Sequence, residues 1–194
     1  MALPMRKQAE HFTYANVITW PEGERWELID GCAYDMTPAP STRHQLILLA
    51  LILQFGNFLK KSPCLLLTAP YDVRLPKAQE DGLTASTVVQ PDLMVVCERE
   101  KLDERGCVGA PTLVVEITSP STAAKDLREK RMVYQRAGVP EYWIISPADQ
   151  TLLVFTLDDT GHYGAPTVFT ADEQAPVGVL PGLQIDLASV FAER

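Results

Sequence analysis

A chain of 194 residues, 46% apolar and 22% charged, carries enough material for the core of one sizeable domain and does not require two. Its 17 basic and 25 acidic residues give a net charge of −8, which excludes a uniformly basic nucleic-acid-binding surface but permits a local basic face. The longest apolar run, Leu46 to Leu53, is far shorter than the roughly 20 residues that span a bilayer, and the first residues lack the apolar block of a signal peptide, so a cytoplasmic protein is expected.

Residues 1–11 read as an N-terminal tail to a single domain that otherwise takes in the whole of 1–194. "FTYANVITWPEG" predicts a short helix with Thr13 as N-cap, ended by Pro21 and Gly23. "RWELIDGCAYDM" predicts a hairpin around Asp30-Gly31, a pair suited to a type I′ turn. A long amphipathic helix capped near Ser41 or Thr42 follows in "STRHQLILLALILQFGNFLKK". "CLLLTAPYDVRLP" is a strand broken near Pro70, and residues 76–87 are polar enough to be an exposed loop.

Two β-branched-rich segments, "VVQPDLMVV" and "PTLVVEIT", read as strands buried on both faces, joined by a charged connection. "TAAKDLREKRMVYQRA" is a helix closed by Gly138 at the left-handed position after its end. "EYWIISP" and "TLLVFTLD" are strands around an Ala148-Asp149 turn, and the tail holds one or two more. The order implies an α/β fold: a mixed sheet flanked by helices, with additional hairpins. An apolar strand over 150–157 at a sheet edge would offer a route to a homodimer. The four cysteines are scattered without a CxxC pair, so each is expected as a small buried hydrophobe in a reducing compartment.

The chemistry gathers around two acids. Strand alternation puts Val114, Glu116 and Thr118 on one face of "LVVEIT", in a setting where an unpaired carboxylate must find a cation, a hydrogen bond or a proton. Asp92 heads another apolar strand 24 positions earlier, room enough for the two strands to lie side by side. Two carboxylates aimed at one spot repel unless a divalent metal lies between them. In the following helix Ala123, Leu127, Lys130, Tyr134 and Ala137 fall on one helical stripe, so Lys130 should reach inward toward the acids. Acid, neighbouring acid and lysine together suit metal-dependent phosphodiester hydrolysis. Walker, GxGxxG and GxSxG motifs are missing, which disfavours P-loop, dinucleotide and serine-hydrolase chemistry.

Taken in order, "WELIDG", "RHQ", "QPDLMVV", "PTLVVEITSPST", "DLREKRMVY", "AGVPEYWIISP" and "LPGLQIDL" resemble the Uma family of restriction-endonuclease-like proteins, a branch of the PD-(D/E)XK nuclease superfamily. The resemblance runs from about residue 12 to 191. It implies the restriction-endonuclease-like fold, DNA as substrate, Mg²⁺ or Mn²⁺ as cofactor, and dimers. Pro91-Asp92 matches the PD pair and Glu116 the second acid. The superfamily pattern would place lysine at position 118, where this chain has Thr118; Lys130 fits a lysine that has migrated to the helix. The resemblance further brings in Glu27 as a third metal ligand and His44 as a site contributor, with Gln90, Asp126 and Tyr134 supporting.

Each of these residues also admits a structural reading. Asp92 could cap a strand entrance, Glu116 and Lys130 could form an interior ion pair, and His44 could pack or cap a helix. Lys125, Arg128, Arg131 and Arg136 read as a solvated helix face that could also contact phosphates. The corresponding alternative for the whole chain is an inactive nuclease-fold module that binds DNA or a protein partner. The missing lysine at 118 and the acidic net charge lean that way.

Overall fold

The computed structural model describes residues 6–7, 11–21, 23–36, 39–119 and 123–192. Thr13 caps α1 (Tyr14–Val17) through a reciprocal capping box with Asn16. The first strand, β1 (Arg6–Lys7), lies within the expected tail and pairs antiparallel with β3 (Cys32–Asp35), the partner of β2 (Trp26–Ile29) in the expected hairpin. Asp30 (φ 49°) and Gly31 (φ 79°) both take positive φ at its tip, as a type I′ turn requires. Helix α2 (Thr42–Leu59) starts where Ser41 accepts a hydrogen bond from the His44 amide.

From α2 the chain runs through β4 (Leu65–Thr68), β5 (Val73–Arg74), β6 (Val88–Val89) and β7 (Leu93–Val96). The break near Pro70 carries the chain from one sheet to the other, and "VVQPDLMVV", expected as one strand, is instead divided at residues 90–92 into β6 and β7 of different sheets. A short hairpin, β8 (Leu102–Asp103) and β9 (Gly106–Val108), forms within the charged connection and leads to β10 (Leu113–Ile117). The expected helix is composite: α3 (Ala123–Lys125), a π turn over Asp126–Lys130, and α4 (Arg131–Ala137), closed by Gly138 at φ 81°. Thr122, its expected first residue, lies outside the described residues. β11 (Glu141–Ser146), β12 (Thr151–Thr156), β13 (Thr167–Thr170), β14 (Gln174–Pro176), β15 (Gln184–Asp186) and α5 (Leu187–Phe191) complete the chain.

Six strands form a mixed sheet in the order β13-β12-β11-β10-β7-β4, parallel only at β10–β11. The short strands and hairpins assemble into a second mixed sheet, β1-β3-β2-β6-β5-β9-β8, rather than standing alone. Residue alternation splits the six-stranded sheet cleanly. Leu113, Val115, Ile117, Trp143 and Ile145 pack with Ile47, Leu51 and Phe55 of α2 and with the C-terminal segment. Val114, Tyr142 and Ile144 pack on the opposite side with Val133 and Tyr134 of α4. Glu116 follows Val114 onto this second face, under the composite helix.

Several expectations are corrected. β12 lies between β11 and β13, so the 150–157 segment is no sheet edge and offers no pairing surface for a dimer. Residues 85–87, assigned to an exposed loop, are buried because Ala85 and Ser86 carbonyls accept from the Tyr14 and Gly31 amides. Cys64 and Cys97 are joined in a disulfide: the Leu65↔Val96 register places them opposite each other one residue past the ladder. Cys107 is a small buried hydrophobe as expected, and burial pushes its thiol up to about 11.

Candidate active site

The site forms where residues 90–92 carry the chain out of β6 in one sheet and into β7 in the other. The β7–β10 ladder pairs Leu113 with Val95, Val114 with Met94 and Val115 with Leu93, so the next opposed pair is Glu116 and Asp92. The two acids predicted to be neighbours therefore face each other across adjacent strands. Asp92 Oδ2 accepts a hydrogen bond from the Ile117 amide at 2.7 Å and lies 3.2 Å from His44 Nε2. His44 reaches it from the first turn of α2; its Nδ1 is buried without a hydrogen-bond partner among the described residues.

Glu116 is almost fully buried and accepts from two donors on the helix above: Lys130 Nζ at 2.9 Å and the Tyr134 hydroxyl at 2.8 Å, both on Oε1. Lys130 Nζ is also 2.7 Å from Glu27 Oε1 and 3.8 Å from Asp126 Oδ1. Asp126 is held nearby by its backbone carbonyl, which accepts from the Tyr142 hydroxyl. The inward stripe differs from the predicted one. The π turn inserts an extra residue, so Asp126, Lys130, Val133 and Tyr134 point inward while Leu127 turns out and is 40% exposed.

Glu27, wholly buried on β2, has both oxygens engaged. Oε1 takes Lys130 and the Gln90 amide at 3.0 Å; Oε2 takes Lys125 Nζ at 2.6 Å. Gln90 extends this network, donating to Asp72 and accepting from Arg25. Arg25 and Asp72 were not among the expected site residues, and Lys125 was expected on a solvated helix face. Lys125 and Lys130 are five apart, a spacing that unites two side chains only on a π turn. The supposed solvated face is likewise divided: Lys125 serves Glu27, Arg131 stacks on Phe155 and Arg136 pairs with Asp30. At position 118, the Thr118 hydroxyl donates to the Ile145 carbonyl at 3.1 Å, tying β10 to β11.

One lysine shared by two buried carboxylates sets the electrostatics. Burial opposes ionisation of Glu27, but Lys130 and Lys125 outweigh it and hold its carboxyl at about 2. Burial pushes Glu116 well up, and the negative charges of Asp126, Asp92 and Glu27 add to it against the pull of Lys130. Burial opposes the charge on Lys130 too, yet Glu116, Glu27 and Asp126 drive its ammonium well above the usual lysine range. Lys130 is thus a fixed cation, unsuited to act as a base at neutral pH. Glu116 is short of positive charge.

That shortage is what a divalent cation would relieve. Among the described residues the contacts to Asp92 fall on Oδ2 and those to Glu116 on Oε1, so a cation would take Oδ1 and Oε2. Hard carboxylate oxygens suit Mg²⁺ or Mn²⁺. Among the described residues no group of three or more His, Cys, Asp or Glu side chains could hold a metal ion, so the pair Asp92 and Glu116 would do so with water and substrate oxygens. Glu27 is committed to the lysines.

The chain matches the Uma2 family, described as "Putative restriction endonuclease", over residues 14–188. Among solved structures it is similar to one titled a "putative nuclease belonging to DUF820" from Anabaena variabilis ATCC 29413. The two share 19% identity and a TM-score of 0.73, over 93% of this chain and 97% of that one, a likeness of fold. No curated protein matches the chain.

Proposed function

The chain belongs to the Uma2 family, and from that premise we propose that it is a Mg²⁺- or Mn²⁺-dependent endonuclease hydrolysing phosphodiester bonds in DNA. The observation that carries this reading is the opposition of Asp92 and Glu116 beneath a buried lysine hydrogen-bonded to Glu116. When bound, the divalent cation supplies Lewis-acid chemistry to the phosphodiester and to the attacking water. Asp92 and Glu116 would hold it. The Ile117 amide and His44 fix the Asp92 carboxylate, and Tyr134 and Lys130 fix that of Glu116. As water gives up a proton to solvent and forms its bond to phosphorus, and the bond to the leaving ester oxygen breaks with that oxygen taking a proton from solvent, negative charge grows on the phosphoryl oxygens. Lys130 places a preorganised positive charge there, a kind of contribution worth about 10²–10³ in rate. Glu27 aims the lysines instead of binding metal, and Gln90 and Asp126 brace the network.

Asp92→Ala is expected to reduce Mn²⁺-dependent nicking of supercoiled plasmid by at least about 10³-fold while leaving the circular dichroism spectrum unchanged. Chelation of the metal should have the same effect on the wild type. Undiminished nicking by a folded Asp92→Ala protein would refute the reading.

A further inference from the structure

Lys125 is largely buried, its side chain 14% exposed, with Nζ 2.6 Å from Glu27 Oε2 and 4.4 Å above the Tyr34 ring. Both of its neighbours come from the hairpin of the seven-stranded sheet, whereas Glu116 belongs to the six-stranded one. Lys130 is suspended between the two sheets, 2.7 Å from Glu27 and 2.9 Å from Glu116. Its ammonium settles where the pulls of those two carboxylates balance. Glu27 is the more buried of the pair, and its other oxygen is occupied by Lys125. A second positive charge on Glu27 weakens its attraction for Lys130.

The local backbone brings this about. On a regular helix of 3.6 residues per turn, side chains five apart diverge by about 140°. The π turn over Asp126–Lys130 repeats at five, so Lys125 and Lys130 reach opposite oxygens of one carboxylate. π turns inside α-helices occur often at functional sites.

We propose that Lys125 is a positioning residue: by taking the outer oxygen of Glu27 it keeps Lys130 on Glu116, where the lysine meets the reacting phosphate. This rests on the nuclease reading for its catalytic consequence, but not for its structural one. Without Lys125, Glu27 retains one ammonium within reach and draws Lys130 off Glu116. A shift of about 1 Å in a catalytic group can cost on the order of 10² in rate.

The test uses Lys125→Met and Lys125→Arg in the full chain, with two readouts. The first is the lysine side-chain ¹H–¹⁵N spectrum, in which the buried ammonium of Lys130 is identified by its loss in Lys130→Met. Lys125→Met should move or broaden that resonance, and Lys125→Arg, which keeps a cation on Glu27, should largely restore it. The second is nicking kinetics: kcat should fall about 10- to 100-fold in Lys125→Met with KM for DNA unchanged, and recover in Lys125→Arg. In a Glu27→Gln background, adding Lys125→Met should have little further effect, since the lysine acts through Glu27. An unmoved Lys130 resonance in Lys125→Met overturns the proposal. So does a rise in KM at constant kcat, which would make Lys125 a direct phosphate contact. Should the wild type fail to nick DNA, the nuclease reading falls, while the ammonium spectrum still decides whether Lys125 positions Lys130.

Discussion

Lys130→Met will destabilise the protein by about 3 kcal/mol, a drop of about 6–12 °C in melting temperature for a chain of this size, and will abolish nicking. Methionine fills the volume but removes a cation shared by Glu27, Glu116 and Asp126. Removing one partner of a buried ion pair costs more than the pair contributes, because the remaining charge has lost both water and its counter-ion. Lys125 still serves Glu27, and Glu116 can take up a proton, which keeps the loss at the low end of the usual range. The Lys130 ammonium is raised well above 10.5 in the folded protein. Its contribution is therefore fully present below that pH and is lost only as pH rises through the folded value. The defect should persist undiminished from pH 6 to pH 9 in thermal melts. A variant as stable as the wild type across that range would show that Lys130 is not the charge holding the acids together.

Glu116→Gln, at the other end of the same hydrogen bond, should behave in the opposite way. Glutamine keeps the shape and can still accept from Tyr134 and Lys130, while Glu27 remains to pair with Lys130. The melting temperature of the metal-free protein should stay within about 3 °C of wild type, a change of at most about 1 kcal/mol. Metal-dependent gain and nicking should both vanish. In the wild type, saturating Mn²⁺ at 100 times its dissociation constant should add about 2.7 kcal/mol. The pH dependence carries its own sign. Glu116 is raised above its ordinary 4.5, so the folded state binds the proton more tightly than the unfolded one. Its contribution favours the fold at low pH and diminishes as pH rises from about 4.5 toward the folded value. That slope should be present in metal-free wild type and missing from Glu116→Gln. Glu27, held at about 2, contributes the reverse: stability present above 4.5 and lost as pH falls toward 2. Melts of both proteins from pH 3 to pH 9 separate the two effects.

What could be read in the sequence was what local periodicity and register control. The Asp30-Gly31 turn, the Ser41 cap, the alternation around Glu116 and the inward-pointing Lys130 all depend on near neighbours in the chain. The meeting of Asp92 and Glu116 was allowed by two apolar strands with enough chain between them to lie side by side. The seven-stranded sheet was hidden because β1, β5, β6 and β8 have two residues each, too few to show any alternation. The Cys64–Cys97 bridge depends on a strand register 33 residues apart that spacing alone does not reveal. Lys125 was hidden by the π turn: a stripe drawn at 3.6 residues per turn puts Leu127 inside and Lys125 in solvent, the reverse of what the helix does. Glu27 was found through the family pattern, and its pairing with both lysines came from the geometry.

The proposed function requires Asp92 and Glu116 to form a pair that a divalent cation completes. Isothermal titration of Mn²⁺ into the wild type and into Asp92→Ala tests it most directly. A saturable site on the wild type that is lost in the variant is expected. Equal binding to both would contradict it, and so would no binding to either, which would leave Glu116 and Lys130 as an interior ion pair in a nuclease-like fold without a metal-dependent reaction.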